Sequence, residues 1–195
     1  DRTESDPVNP LTAYARSKIG TERSLVNLNL SDSDLKITCL RFATACGYSP
    51  NLRLDLVLND FVATALNTNN IEILSDGSPW RPLIDVEDMA RAIYWACHRD
   101  KGSETEILNV GSPSWNYQIK DLAQSTKNEL GSKIEIDINT NAAPDKRSYR
   151  VSFEKYYSLV SSNFAPKITL SESIKRIHNG IINFSEEISK DRNYL

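Results

Sequence analysis

Along nearly the whole chain, short β-branched segments alternate with amphipathic segments of helical period, and this alternation narrows the possible folds more than any other feature. After a polar entry punctuated by Asp6-Pro7 and Asn9-Pro10, Thr12 is positioned to cap a helix running to about residue 30, with Ala15, Ile19, Leu25 and Leu28 at helical spacing. A turn at Ser31 to Asp34 leads into a strand at Lys36 to Phe42. A loop holding Gly47, Pro50 and Asn51 precedes a helix from Asp55 to Asn67, and Ile71 to Leu74 forms a strand closed by Asp76-Gly77. Val86 to His98 reads as a helix, Ile107 to Val110 as a strand, Ile119 to Leu130 as a helix and Lys133 to Ile138 as a strand. Two further helices are expected at Ser152 to Val160 and Ser171 to Phe184, with Asn139 to Tyr149 a mobile loop and residues 190–195 a frayed tail. The pattern predicts an α/β protein with a mainly parallel sheet.

The bulk properties remove several function classes. A net charge of -3 over 195 residues gives no signal for a nucleic-acid partner or an acidic membrane surface. There is no apolar run of about 18 residues, no signal-peptide core and no lipidation motif, so the expectation is no membrane and a cytoplasmic location. Cys39, Cys46 and Cys97 are odd in number and lack metal-ligand spacing, which points to reduced, packed thiols without zinc. Met89 is the only methionine, and the opening Asp1-Arg2-Thr3-Glu4 reads like the middle of a longer polypeptide. The sequence carries no serine nucleophile elbow, no zinc-protease motif and no Walker loop. His98 and His178 fall late in expected helices, where the helix C-terminus suits them.

Tyr14 and Lys18, four residues apart at a helix start, can lie on one face and meet one ligand. An ammonium beside a tyrosine favours the phenolate, the form that acts as a base. By itself this spacing also describes an exposed pair on a helix surface. The surrounding residues add to it. Pro10 to Lys18, followed by Glu22, closely resembles the P-x-(S/T)-x-Y-x-x-S-K-x-x-x-E segment of extended short-chain dehydrogenases acting on nucleotide sugars. Further stretches follow in that family's order: Leu40 to Gly47 resembles its R-x-x-x-x-x-G strand and loop, and Asn59-Asp60-Phe61 its asparagine at a helix start. Asp76 to Asp88 is similar to its D-G-x-x-x-R-x-x-I-x-V-x-D segment, and Asn109-Val110-Gly111 to its N-x-G strand.

The resemblance implies the C-terminal part of a Rossmann-type sheet with helices, plus a smaller α/β substrate-binding lobe. Residues 1–50 and 85–115 would be the remainder of the NAD(P)-binding domain, and residues 51–84 and 116–195 the lobe. It implies Tyr14 as catalytic base, Lys18 as the group holding the nicotinamide ribose, and Ala43 and Thr44 beside the nicotinamide. Asn59, Arg81 and Arg147 would be substrate contacts. An asparagine at a helix start suits a diphosphate oxygen, and an arginine fork suits phosphate or ribose hydroxyls. A surface salt bridge of Arg81 with Asp85 or Glu87 stays open, as does a solvated basic loop for Arg147 and Arg150. Asp88 is expected to be structural, orienting a loop or capping its helix. The implied activity is NAD-dependent epimerisation or dehydration of a nucleotide sugar through a keto-sugar, with NADP not excluded and a homodimer when full length. A reductase of the same fold and a non-catalytic nucleotide-sugar-binding module remain open. The chain departs from the family in two respects: Ala143 to Arg150 stands where many members carry an arginine before a G-D pair, and none of its glycines forms the G-x-G-x-x-G turn that cradles a dinucleotide pyrophosphate.

Overall fold

The computed structural model describes residues 1–28, 35–100, 103–142 and 148–192, without the side chains of 184–192. Among the described residues, six α-helices and seven strands alternate: α1 (Ala13–Val26), β1 (Ile37–Phe42), β2 (Thr44–Cys46), α2 (Val57–Thr68), β3 (Asn70–Ile73), β4 (Trp80–Asp85) and α3 (Val86–His98), then β5 (Thr105–Val110), β6 (Asn116–Gln118), α4 (Ile119–Leu130), β7 (Glu135–Ile138), α5 (Glu154–Leu159) and α6 (Leu170–Arg192). The expected turn at 31–34 and the end of the tail lie outside the described residues, as does the middle of the expected mobile loop.

The fold is α/β, and its strands are mostly parallel. They form three small groups: β1 with β5, β3 with β7, and β2-β4-β6, in which only the β4–β6 pair is antiparallel. β1 passes almost directly into β2 and changes partner on the way. At the change, the Ala43 amide still reaches Val110 O at 2.8 Å, while Thr44 to Cys46 run beside Leu83 to Asp85. Gly111 faces this bend, and a Cβ there would stand 2.5 Å from the Phe153 ring and 3.0 Å from Ala43 Cβ.

Local chemistry explains the helix ends. Thr12 Oγ1 accepts the Ala15 amide at 3.1 Å, the expected N-cap of α1. Asp85 caps α3 through the Glu87 amide at 2.9 Å, so capping falls to this residue and not to Asp88. Asp88 orients a loop: its two oxygens accept Lys167 N and Ile168 N, each at 3.0 Å, and Arg91 donates to it as well. Beyond α3, the buried Arg99 donates to Thr38, Ile37, Ser103 and Glu104, fastening the helix end to the start of the β1–β5 pair. His98 sits at the end of α3 with Nδ1 2.8 Å from Tyr94 O. His178 does not sit at a helix end, because α6 continues to Arg192.

Two hydrophobic clusters form the core. One gathers α2, α4 and α6 over β3, including Leu58, Phe61, Ile71, Leu122, Ile174 and Ile177. The other packs Ile84, Trp95, Leu108, Val110, Phe153 and Tyr156 around β1 and β5. The three cysteines are unpaired. Cys46 is buried, which pushes its thiol up, but Cys97 is exposed and not packed as expected. No helix among the described residues is long and apolar enough to cross a membrane.

Candidate active site

α1 carries the Tyr-Lys pair on a face that meets no core. None of its residues is buried, and Tyr14 is 72% exposed. The Lys18 Nζ lies 5.4 Å from the Tyr14 ring centroid, so the helix spacing brings the two groups to one place. Neither polar end has another hydrogen-bonding or ionic partner among the described residues. What holds α1 is Glu22, whose carboxylate takes a two-pronged contact from Arg41 at 2.6 and 2.8 Å. Arg41 also donates to Glu4 O at 3.4 Å, and Glu4 accepts the Asn109 amide at 2.7 Å. The α1 helix and the entry strand are therefore both tied to the C-terminal end of the β1–β5 pair, a few residues before Thr44.

Thr44 opens onto a cleft of about 670 Å³. The start of α2, the end of β3 and Arg81 form its other walls, and Ile119 contributes from α4. The structure thus brings Thr44 and Arg81 together. Arg81 Nη1 donates to the Trp80 carbonyl at 2.9 Å. The two acids considered as its surface partners are engaged elsewhere. Asp85 accepts the Ser173 hydroxyl at 2.6 Å, and Glu87 pairs with Arg91 and Arg176.

Two expected contacts are placed differently. Ala43 is buried with its amide bonded to Val110 O, so its side chain shapes the strand bend. Asn59 is 1% exposed and its amide is fully used: Oδ1 accepts Gly47 N at 3.0 Å, and Nδ2 donates to Gly47 O at 3.2 Å and Arg53 O at 2.9 Å. It braces the 47–53 loop from behind the cleft, and the direct diphosphate contact expected of it is replaced by that brace. The helix begins at Val57, so Asp55 and Leu56 are the residues at the cleft's edge. Arg147 lies outside the described residues. Arg150 is committed to Asp1 at 3.0 Å and stacks over Trp80 at 4.7 Å.

The sequence reading missed the bracing network and Asp60. Asp85, under the Ser173 hydroxyl, presses on Gly47, where a Cβ would come within 2.5 Å of its Oδ2. Gly47 in turn is gripped by Asn59. The φ of +105° at Gly47 is the one feature of this network that its glycine identity signals. Asp60 stands in the first turn of α2 and lines the cleft, and burial pushes its carboxyl up. Its neighbour in sequence drew attention, but the helix register that turns one inward and leaves the other at the cleft depends on where the helix starts.

Around this geometry, the sequence profile of the NAD dependent epimerase/dehydratase family matches residues 1–111. A UDP-glucose 4-epimerase from Halalkalibacterium halodurans is 26% identical over 173 residues, 80% of this chain and 51% of that protein. A protein named putative UDP-glucose 4-epimerase, from Methanocaldococcus jannaschii, is 26% identical over 182 residues, 92% of this chain and 56% of its own length. Among solved structures, a dTDP-glucose 4,6-dehydratase from Bacillus anthracis in complex with NAD superposes with a TM-score of 0.75 at 19% identity, covering 95% of this chain and 56% of that one. The chain spans about half the length of the curated relatives it matches.

Proposed function

This chain belongs to the NAD dependent epimerase/dehydratase family, and on that premise we propose that the protein oxidises a hydroxyl of a nucleotide sugar to a keto-sugar and then completes an epimerisation or a dehydration. The observation that carries this reading is the juxtaposition of Tyr14 and Lys18, with the ammonium 5.4 Å from the ring centroid and both polar ends uncommitted. NAD, when bound, supplies the hydride acceptor.

The residues present fit the nicotinamide half of that cofactor. Tyr14 and Lys18 offer a hydroxyl and an ammonium on one open face for the ribose, and Thr44 follows the bend between β1 and β2 and lines the cleft. The pyrophosphate half has no glycine-rich cradle among the described residues. Tyr14 takes the proton from the sugar hydroxyl as the carbon beneath it is oxidised, and returns it afterwards. Lys18 orients the ribose and balances the charge of the phenolate that accepts this proton. Arg81 and the unpaired first-turn amides of α2 receive the diphosphate across the cleft. A division into a cofactor-side body at residues 1–50 and 85–115 and a substrate lobe at 51–84 and 116–195 agrees with the two core clusters in outline, although Ile84, Phe153 and Tyr156 join the cofactor-side cluster and Cys46 and Trp115 the other. Incubation of the protein, expressed from its complete gene, with UDP-glucose and NAD should give a new sugar isomer or a dehydrated sugar by proton NMR, without net accumulation of reduced cofactor. Stoichiometric reduced cofactor would instead mark a reductase or dehydrogenase.

We also propose that two copies pair through α1. Leu11, Val26 and Leu28 are exposed along and beside this helix, which buries none of its own residues. Light scattering should report a dimer, and a well-behaved monomer at micromolar concentration would remove the proposal.

A further inference from the structure

The charged groups near the start of α2 are not equivalent. Asp55 has both carboxylate oxygens on the Arg53 guanidinium, at 2.7 and 2.6 Å. Glu72 is exposed on β3, where water serves it. Asp60 is different: it lines the cleft from the first turn of α2 and is partly buried, and its carboxylate makes no hydrogen bond or ion pair with any described residue. A carboxylate that loses water without gaining donors is costly to the fold, and burial duly pushes Asp60 above the usual carboxylate range. No described side chain or amide bonds to this charge, so its use is to be sought in a ligand.

The chemistry of that ligand follows from the rest of the cleft. A diphosphate is repelled by a carboxylate and attracted to Arg81 and the helix amides. A carboxylate's two oxygens match the paired donors of two adjacent hydroxyls. We infer that Asp60 is a specificity-determining residue of this cleft, accepting hydrogen bonds from a vicinal diol of the bound nucleotide sugar. The inference rests on the nucleotide-sugar reading. The diol belongs either to the hexose or to the ribose.

The test measures binding of UDP, UDP-glucose and dTDP-glucose, the last lacking the ribose diol, by calorimetry to the protein from its complete gene and to its Asp60→Asn variant. The variant removes one acceptor oxygen and the charge with almost no change of shape. UDP-glucose affinity should fall about 10-fold or more, while the unfolding temperature holds or rises because a desolvated charge is gone. Loss for both sugar nucleotides with UDP unchanged assigns the hexose diol. Loss for UDP and UDP-glucose with dTDP-glucose unchanged assigns the ribose diol. Unchanged affinity for all three, equal loss for all three, or loss accompanied by a falling unfolding temperature overturns the inference while leaving the nucleotide-sugar reading in place. A wild-type protein that binds none of the three removes that reading, and this inference with it.

Discussion

Replacing Tyr14 with phenylalanine should lower kcat by about 1,000-fold, within the range contributed by a positioned general base, or about 4 kcal/mol of barrier. The fold should not notice. The ring is 72% exposed and its hydroxyl bonds to no described residue, so nothing in the interior is unpaired by the change. Exposed substitutions of this kind alter stability by about 0.5 kcal/mol at most. The ring also remains available to Lys18, so cofactor affinity should stay within a few-fold, and the loss should appear in kcat with KM little changed. Near wild-type turnover in Tyr14→Phe would remove Tyr14 from the chemistry. A loss of turnover that tracks a loss of unfolding temperature would make it structural.

Gly47→Ala should produce a large loss of stability. Two penalties coincide there. The φ of +105° is a region that side chains rarely adopt, and the added Cβ would stand 2.5 Å from Asp85 Oδ2 and 2.9 Å from Asp85 Cγ. The carboxylate cannot simply swing away, because it caps α3 through Glu87 N and holds the Ser173 hydroxyl. Strained backbone and overpacking each cost about 1–3 kcal/mol, giving about 3 kcal/mol or more together. For a chain of this size that is a fall of roughly 6–12 °C in Tm. The loop between Thr44 and α2 should loosen with it, because Asn59 grips Gly47 through both its amide and its carbonyl. A thermal melt of Gly47→Ala within a degree of wild type would show that the clamp seen between α6, Asp85 and α2 carries little of the stability.

The long amphipathic helices were legible in the sequence, because a packed face leaves a 3.6-residue period and capping residues mark its start. α3 and α4 occupy the residues that their periodicity indicated. The strands β1, β3, β5 and β7 were legible too, but β2, β4 and β6 were not. β4 contains Pro82, which argues against a central strand. Yet Pro82 pairs only toward β6, and the β2 contacts begin at Leu83, so the missing amide is not needed on that side. β2 and β6 have three residues each, too few to show an alternation. Of the site, Tyr14, Lys18, Thr44 and Arg81 are exposed or line the cleft, and each could be picked out by residue type and order. Asn59 shows where that reasoning stops. Its amide is turned to Gly47 and Arg53 in the loop behind the cleft, and those partners leave no local mark in the sequence. The Ser173–Asp85–Gly47–Asn59 brace joins residues more than a hundred positions apart, and no local pattern could have announced it.

The account's central claim is that a hydride leaves the sugar and returns within one active site. Single-turnover absorbance of the nicotinamide reads that transfer, with limiting UDP-glucose mixed rapidly into excess NAD-loaded protein from its complete gene. The account predicts a reduced-nicotinamide signal that rises and then decays as product forms. A signal that never rises while product forms, or one that rises and stays, would contradict it.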